Sequence, residues 1–226
     1  GRRSGREAPG ALRVNAPWVK ICGVTRPEDA ALAATLGAGF VGLNFWPRSP
    51  RFVAELELAR EVSARAREAS PSVRVAGVFV DQEPAWIEEL VERVGLDLVQ
   101  LHGDEPDEVV ARFARRALRA LGAETYARAT SGNGASRERS SDGLFLRQKL
   151  SVFAVLLESP AAGALRGGSG VAWDWSAARS YVDALAPVPV FVAGGVRPEN
   201  VREALAACGA RGVDVASGVE STPGVK

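Results

Sequence analysis

The chain has 226 residues, 46% of them hydrophobic, with 28 basic against 27 acidic side chains and a net charge of +1. That suits one large domain with a sizeable core, and the interleaved charges, with no basic stripe, argue against a nucleic-acid surface. No apolar run approaches the ~20 residues that span a bilayer, and two cysteines without a secretory leader pattern point to a reducing, cytoplasmic setting rather than a disulfide framework.

Residues 1–17, GRRSGREAPGALRVNAP, are polar, basic and rich in glycine and proline, and read as a disordered arm. From residue 18 onward short β-rich runs alternate with helical patterns. WVKICGV (18–24) is the first run; Thr25 and Glu28, at capping-box spacing, open a helix that Gly37 closes. GFVGLNF (39–45) and VRVAGVFV (73–80) follow. Then Ile87, Leu90, Val91 and Val94 make one apolar helical stripe. LDLVQLHG (96–103) and ALRALGA (117–123) come next. Residues 124–150 are rich in Ser, Gly and Arg and read as an irregular, flexible loop. VFAVLLES (152–159) and VPVFVAGG (188–195) precede a helix with Val201, Leu205 and Cys208 on one face, and RGVDVASG (211–218) is the last run. Near-continuous apolar runs of this kind fit strands buried on both faces of a parallel sheet.

Eight such strands alternating with helices predict a single (β/α)8 TIM barrel over residues 18–226. An open doubly wound sheet is the competitor, and the first strand lacks the GxGxxG that such a sheet often carries. The sequence has no methionine and stops at Lys226, just past a SerThrProGly stretch. It reads as a fragment or a chain short of its natural end, with the barrel's final helix lacking.

In a barrel the functional groups gather at the C-terminal ends of the strands. Cys22, His102, Glu158 and Asp214 then converge from strands one, four, six and eight. Gly194 and Gly195 after strand seven, with Ser217 and Gly218 after strand eight, suit a phosphate, because glycines let backbone N–H groups approach an anion. The bland alternatives are tight turns for the glycines and a buried core thiol for Cys22. Cys208, on an apolar helix face, takes the bland reading.

Eight motifs stand in register: KICG (20–23), GLNFWPRSPR (42–51), GVFVD (77–81), VQLHG (99–103), GGSG (167–170) with DWS (174–176), AGGVRPENV (193–201) and VDVASGVE (213–220). Together they resemble the phosphoribosylanthranilate isomerases of tryptophan biosynthesis. The resemblance implies a cofactor-free, metal-free Amadori rearrangement of a phosphorylated sugar, N-(5′-phosphoribosyl)anthranilate. It implies Cys22 as general base, its thiolate favoured by Lys20, and Glu158 as general acid. The family's usual acid is an aspartate, so LeuLeuGlu is a departure. It implies Arg51, with Arg48 as a rival, on the anthranilate carboxylate, and Asp214 on the anthranilate amine. His102 is grouped with the substrate-binding residues, outside the proton transfers. The loop around Gly168 closes over the substrate. A monomer or homodimer, and fusion to another tryptophan-pathway enzyme, are both compatible with it; no nucleic-acid or membrane partner is expected. The alternatives kept open are a ProFAR-type isomerase, which generally uses two aspartates, and an inactive or truncated phosphate-ligand-binding barrel.

Overall fold

Eight strands form: β1 Trp18–Cys22, β2 Phe40–Asn44, β3 Arg74–Phe79, β4 Leu98–Leu101, β5 Ala117–Gly122, β6 Ala154–Glu158, β7 Val190–Ala193 and β8 Gly212–Val215. Each lies inside a run anticipated from the sequence. The structure, a computed structural model, describes residues 16–122, 151–158 and 175–226. The N-terminal arm up to residue 15, the 124–150 loop and the GGSG loop lie outside the described residues. Every strand pairs in parallel with the next, and β8 pairs with β1, closing the barrel. Between the strands lie α1 Pro27–Thr35, α2 Leu56–Ala69, α3 Pro84–Val94, α4 Asp107–Phe113, α5 Trp175–Leu185 and α6 Val201–Cys208.

Side chains alternate across each strand, so the sheet separates two apolar shells. Outward residues such as Val41, Val75, Val99, Val155 and Val192 join helix residues including Val62, Ile87 and Cys208 in the larger core. Inward residues such as Phe40, Leu98, Leu118, Leu156 and Phe191 fill the barrel's centre. The N-terminal end of the barrel is floored by aromatic rings: Trp18 stacks on Phe153 at 5.6 Å, and Phe40 meets Phe191 edge-on at 5.2 Å. Arg211 lies 4.9 Å over Trp18 and covers that floor from below. With its base sealed by apolar rings, the barrel can hold polar groups only toward its other end.

Helix boundaries follow local chemistry, with one departure. Gly95 closes α3 in the left-handed conformation that glycine adopts without strain, and Ile87, Leu90 and Val94 are buried as the stripe predicts. In α1 the expected capping box does not form. The N-cap is Arg26, without a side-chain cap, and Pro27 starts the helix. The Thr25 hydroxyl instead donates to the Gly224 carbonyl at 2.8 Å. After β8 the described residues form a 3-10 helix, Ser217–Val219, and then a segment, 220–226, that returns across the β1 end; no α-helix follows β8 among them.

Candidate active site

Strand alternation places Trp18, Lys20 and Cys22 on the inward face of β1, rising from the aromatic floor to the mouth. Lys20 is fully buried, which an unpaired ammonium would not tolerate. Its partner sits opposite it on β8: the pairing register aligns Lys20 with Asp214, and the Nζ donates to Asp214 Oδ1 at 2.8 Å. Burial works against the Lys20 charge, but Asp214 and the neighbouring Cys22 outweigh it and hold the proton more firmly than usual.

Cys22 lies at the end of β1 beside Lys20. Both side chains depend on Gly42, the residue that pairs with Cys22 on β2. A Cβ at Gly42 would come within 3.0 Å of Cys22 Sγ and 3.1 Å of Lys20 Nζ. Burial and the Asp214 carboxylate push the Cys22 thiol up, while Lys20 pulls it down. Lys20 thus acts in the direction expected from the sequence, yet burial prevails and the thiol resists ionising.

The sixth strand brings Glu158 to the mouth, and its carboxylate stands 2.9 Å from His102 Nε2. On the other side of that ring, Gln100 Nε2 is 2.8 Å from His102 Nδ1. In this orientation the amide donates to Nδ1, leaving Nε2–H to donate to Glu158. Gln100 Oε1 is buried without a hydrogen-bond partner. A half-turn of the amide would let Oε1 accept from Nδ1–H, the arrangement an imidazolium requires. Burial opposes that charge, but the field and hydrogen bond of Glu158 win, so His102 holds a proton above its ordinary range.

Arg51 reaches the mouth from the β2–α2 segment, and its stem crosses Gly23, where a Cβ would sit 2.2 Å from Arg51 Cδ. Its Nε and Nη2 donate to the two oxygens of Glu220 at 2.8 and 2.6 Å. Arg48 lies 5.4 Å over the ring of Trp46.

These groups share one cavity of about 260 Å³, lined by Cys22, Arg51, Gln100, His102, Glu158 and Asp214 with Asn44 and Trp46. A larger hollow of about 760 Å³ opens between α5 and α6 near Pro187 and Arg211. It contains no acid–base cluster comparable to the one at the mouth, so volume does not mark the site here. The glycine loops meet beside the mouth. Gly194 and Gly195 turn with φ of 91° and 66°, and Gly218 packs so tightly on the β7 loop that a Cβ would stand 1.9 Å from the Val196 carbonyl oxygen. Among the described residues, no group of three His, Cys, Asp or Glu side chains is placed to hold a metal, and no helix is long and apolar enough to cross a membrane. Gly168 lies outside the described residues.

Five of the residues singled out from the sequence, Cys22, Arg51, His102, Glu158 and Asp214, thus come together. Three participants carried no role in that reading: Gln100, Glu220 and Lys226. Glu220 ended a recognised motif, and that was the available signal for it.

The chain has clear relatives among known proteins. Residues 19–226 match the family model for N-(5′phosphoribosyl)anthranilate (PRA) isomerase. The chain is 44% identical over 208 residues to the N-(5′-phosphoribosyl)anthranilate isomerase of Myxococcus xanthus, covering 92% of this chain and 89% of that protein. It is 40% identical to the enzyme of that name from Rhodospirillum centenum, covering 92% and 91%. Among solved structures, phosphoribosyl anthranilate isomerase from Thermotoga maritima superposes with a TM-score of 0.74 at 36% identity over 93% of each chain. A phosphoribosyl anthranilate isomerase in complex with reduced 1-(o-carboxyphenylamino)-1-deoxyribulose 5-phosphate gives 0.70 at 35% identity, covering 93% of this chain and 92% of that one.

Proposed function

Because the chain belongs to the N-(5′-phosphoribosyl)anthranilate isomerase family, and its activity is that isomerisation, we propose that Cys22 and Glu158 divide the proton transfers between them. The observation that carries this reading is placement. One thiol and one carboxyl line the same cavity from β1 and β6, across the mouth from each other. A rearrangement that adds a proton at one atom and removes one from another needs an acid and a base on separate sides of the substrate.

Glu158, taking the proton held on His102 Nε2, passes it to the ribose ring oxygen; the C1′–O bond breaks and the ring opens to a Schiff base. The Cys22 thiolate takes the proton from C2′, and the electrons of that C–H bond form the enolamine. Protonation at C1′ and loss of the O2′ proton then give the aminoketone, so the product is an isomer of the substrate. Lys20 supports the thiolate without reaching the substrate itself, and Asp214 keeps Lys20 charged. In this reading Asp214 is committed to Lys20, which leaves the anthranilate amine to a weaker contact with its other oxygen. Arg51 receives the anthranilate carboxylate: Glu220 takes one edge of the guanidinium and leaves the end-on pair of N–H groups for a second bidentate partner. The phosphate sits where the Gly194–Gly195 and Ser217–Gly218 loops abut. A base that is a reduced thiol fits a reducing compartment such as the cytoplasm.

Turnover is read as loss of fluorescence from freshly generated phosphoribosylanthranilate. Cys22→Ala and Glu158→Gln are each expected to lower kcat by about 100- to 10,000-fold with a normal cooperative melt. A folded parent chain without turnover would return the ligand-binding barrel as the better reading.

A further inference from the structure

The segment that follows β8 is built into the mouth rather than laid over it. Glu220 is almost fully buried, and its carboxylate receives four donors. Arg51 supplies Nε and Nη2 at 2.8 and 2.6 Å, the Gly224 backbone N–H reaches Oε1 at 3.0 Å, and Lys226 Nζ reaches the same oxygen at 2.7 Å. Lys226 also donates to the Cys22 backbone carbonyl at 2.6 Å, and its own N–H donates to Asp29 Oδ2 on α1 at 3.0 Å. Thr25 fastens the turn at Gly224 from the β1–α1 loop. A chain of charges therefore runs from the strand that bears the thiol, through Lys226 and Glu220, to Arg51.

Such an arrangement costs burial of three charged side chains, and a surface arginine would stabilise the fold as well without it. What it supplies is a fixed guanidinium. Arginine loses much of its value as a bidentate donor when its long side chain samples many rotamers. Here Gly23 lets the stem lie flat and Glu220 locks one edge of the fork. We propose that Glu220 is the positioning residue for substrate selection: with Lys226 as its tether to β1, it presents Arg51 to the ring carboxylate and so makes the enzyme discriminate carboxylated from uncarboxylated aryl amines. This rests on the assignment of Arg51 to that carboxylate.

The test compares the parent with Glu220→Gln, Glu220→Asp, Lys226→Gln and Arg51→Gln on two substrates, phosphoribosylanthranilate and the phosphoribosyl adduct of aniline, which lacks the carboxylate. Glu220→Gln keeps the side-chain shape but puts an N–H₂ against one arm of the fork. Its KM for the anthranilate adduct is expected to rise about tenfold, the lower end for a charge-assisted hydrogen bond. The aniline KM and both kcat values stay near the parent's. Glu220→Asp restores part of the preference, and Lys226→Gln weakens it in the same direction. A Glu220→Gln enzyme that loses both substrates equally, or only kcat, overturns the proposal in favour of a general structural role. Should Glu220→Gln fail to fold, Lys226→Gln carries the same comparison, and an undiminished carboxylate preference in it overturns the proposal. The two assignments separate cleanly. Arg51→Gln that keeps the preference removes Arg51 from the carboxylate; Arg51→Gln that abolishes it, beside a Glu220→Gln that does not, removes only the positioning role.

Discussion

Gly42 shows how narrowly the proposed base is placed. Its missing side chain is the space that Cys22 Sγ and Lys20 Nζ occupy, at 3.0 and 3.1 Å from where a Cβ would stand. Distances that short oblige the neighbours to yield by a few tenths of an ångström. A misplacement of about 1 Å can cost roughly 100-fold in rate, so a shift of this smaller size is expected to cost about tenfold. Gly42→Ala should therefore lower kcat by about that factor while the melting temperature falls by only a few degrees, in steady-state kinetics paired with a thermal scan. Unchanged kcat would mean that the thiol does not work from this position. The cysteine's place at the mouth was legible in VKICGV, because the last inward residue of a barrel strand faces the mouth. Its electrostatics were not legible. Lys20 appeared as an activator two residues away, but the burial and the Asp214 carboxylate that oppose it come from the closure of β8 against β1.

At the scale of elements, the strands were readable because a strand buried on both faces needs an unbroken apolar run, and each run here contains its strand. Contacts between distant ends of the chain leave no such periodic mark. Thr25 looked like a helix cap because Thr and Glu at that spacing usually are one; its hydroxyl was drawn instead to Gly224, 199 positions away in sequence. The β4 and β6 ends give a sharper case. His102 had no assigned proton role, and only the pairing order brings Glu158 against it, with Gln100 on its other nitrogen, Asp214 and Lys20 adding opposing fields. The raised affinity of His102 for its proton has a definite sign in stability. A basic group that binds its proton more tightly when folded stabilises fully below its unfolded value, near pH 6.5, and loses that contribution as pH rises through the folded value. His102→Asn retains a hydrogen-bonding side chain but does not titrate. The stability gap between parent and variant, measured by urea unfolding at pH 5.5, 7 and 8.5, is expected to shrink as pH rises. A gap that widens with pH would show that Glu158 does not hold an imidazolium.

At the scale of the whole molecule, the aromatic floor and the polar mouth divide the barrel between stability and chemistry, and the glycine loops after β7 and β8 complete the mouth. Gly218 is the position where those loops touch. A methyl group there would stand 1.9 Å from the Val196 carbonyl oxygen, a backbone atom that gives way only if the two loops part. If the loops form one phosphate cradle, parting them removes binding without removing the barrel, because the strands beneath, Val190–Ala193 and Gly212–Val215, are held by their own ladder. Reduced 1-(o-carboxyphenylamino)-1-deoxyribulose 5-phosphate, at 100 times its Kd, should stabilise the parent by about 2.7 kcal/mol. For a chain of this size that is a rise of roughly 5–10 °C in Tm. Inorganic phosphate alone, filling one corner of the site, should give a smaller rise. Gly218→Ala is expected to melt cooperatively at a lower temperature and to respond weakly to both. An equal response to inorganic phosphate in parent and variant would move the anion away from these loops, and a variant that responds to the full ligand but not to phosphate would confine the loss to the phosphate corner while the Arg51 side of the site still binds.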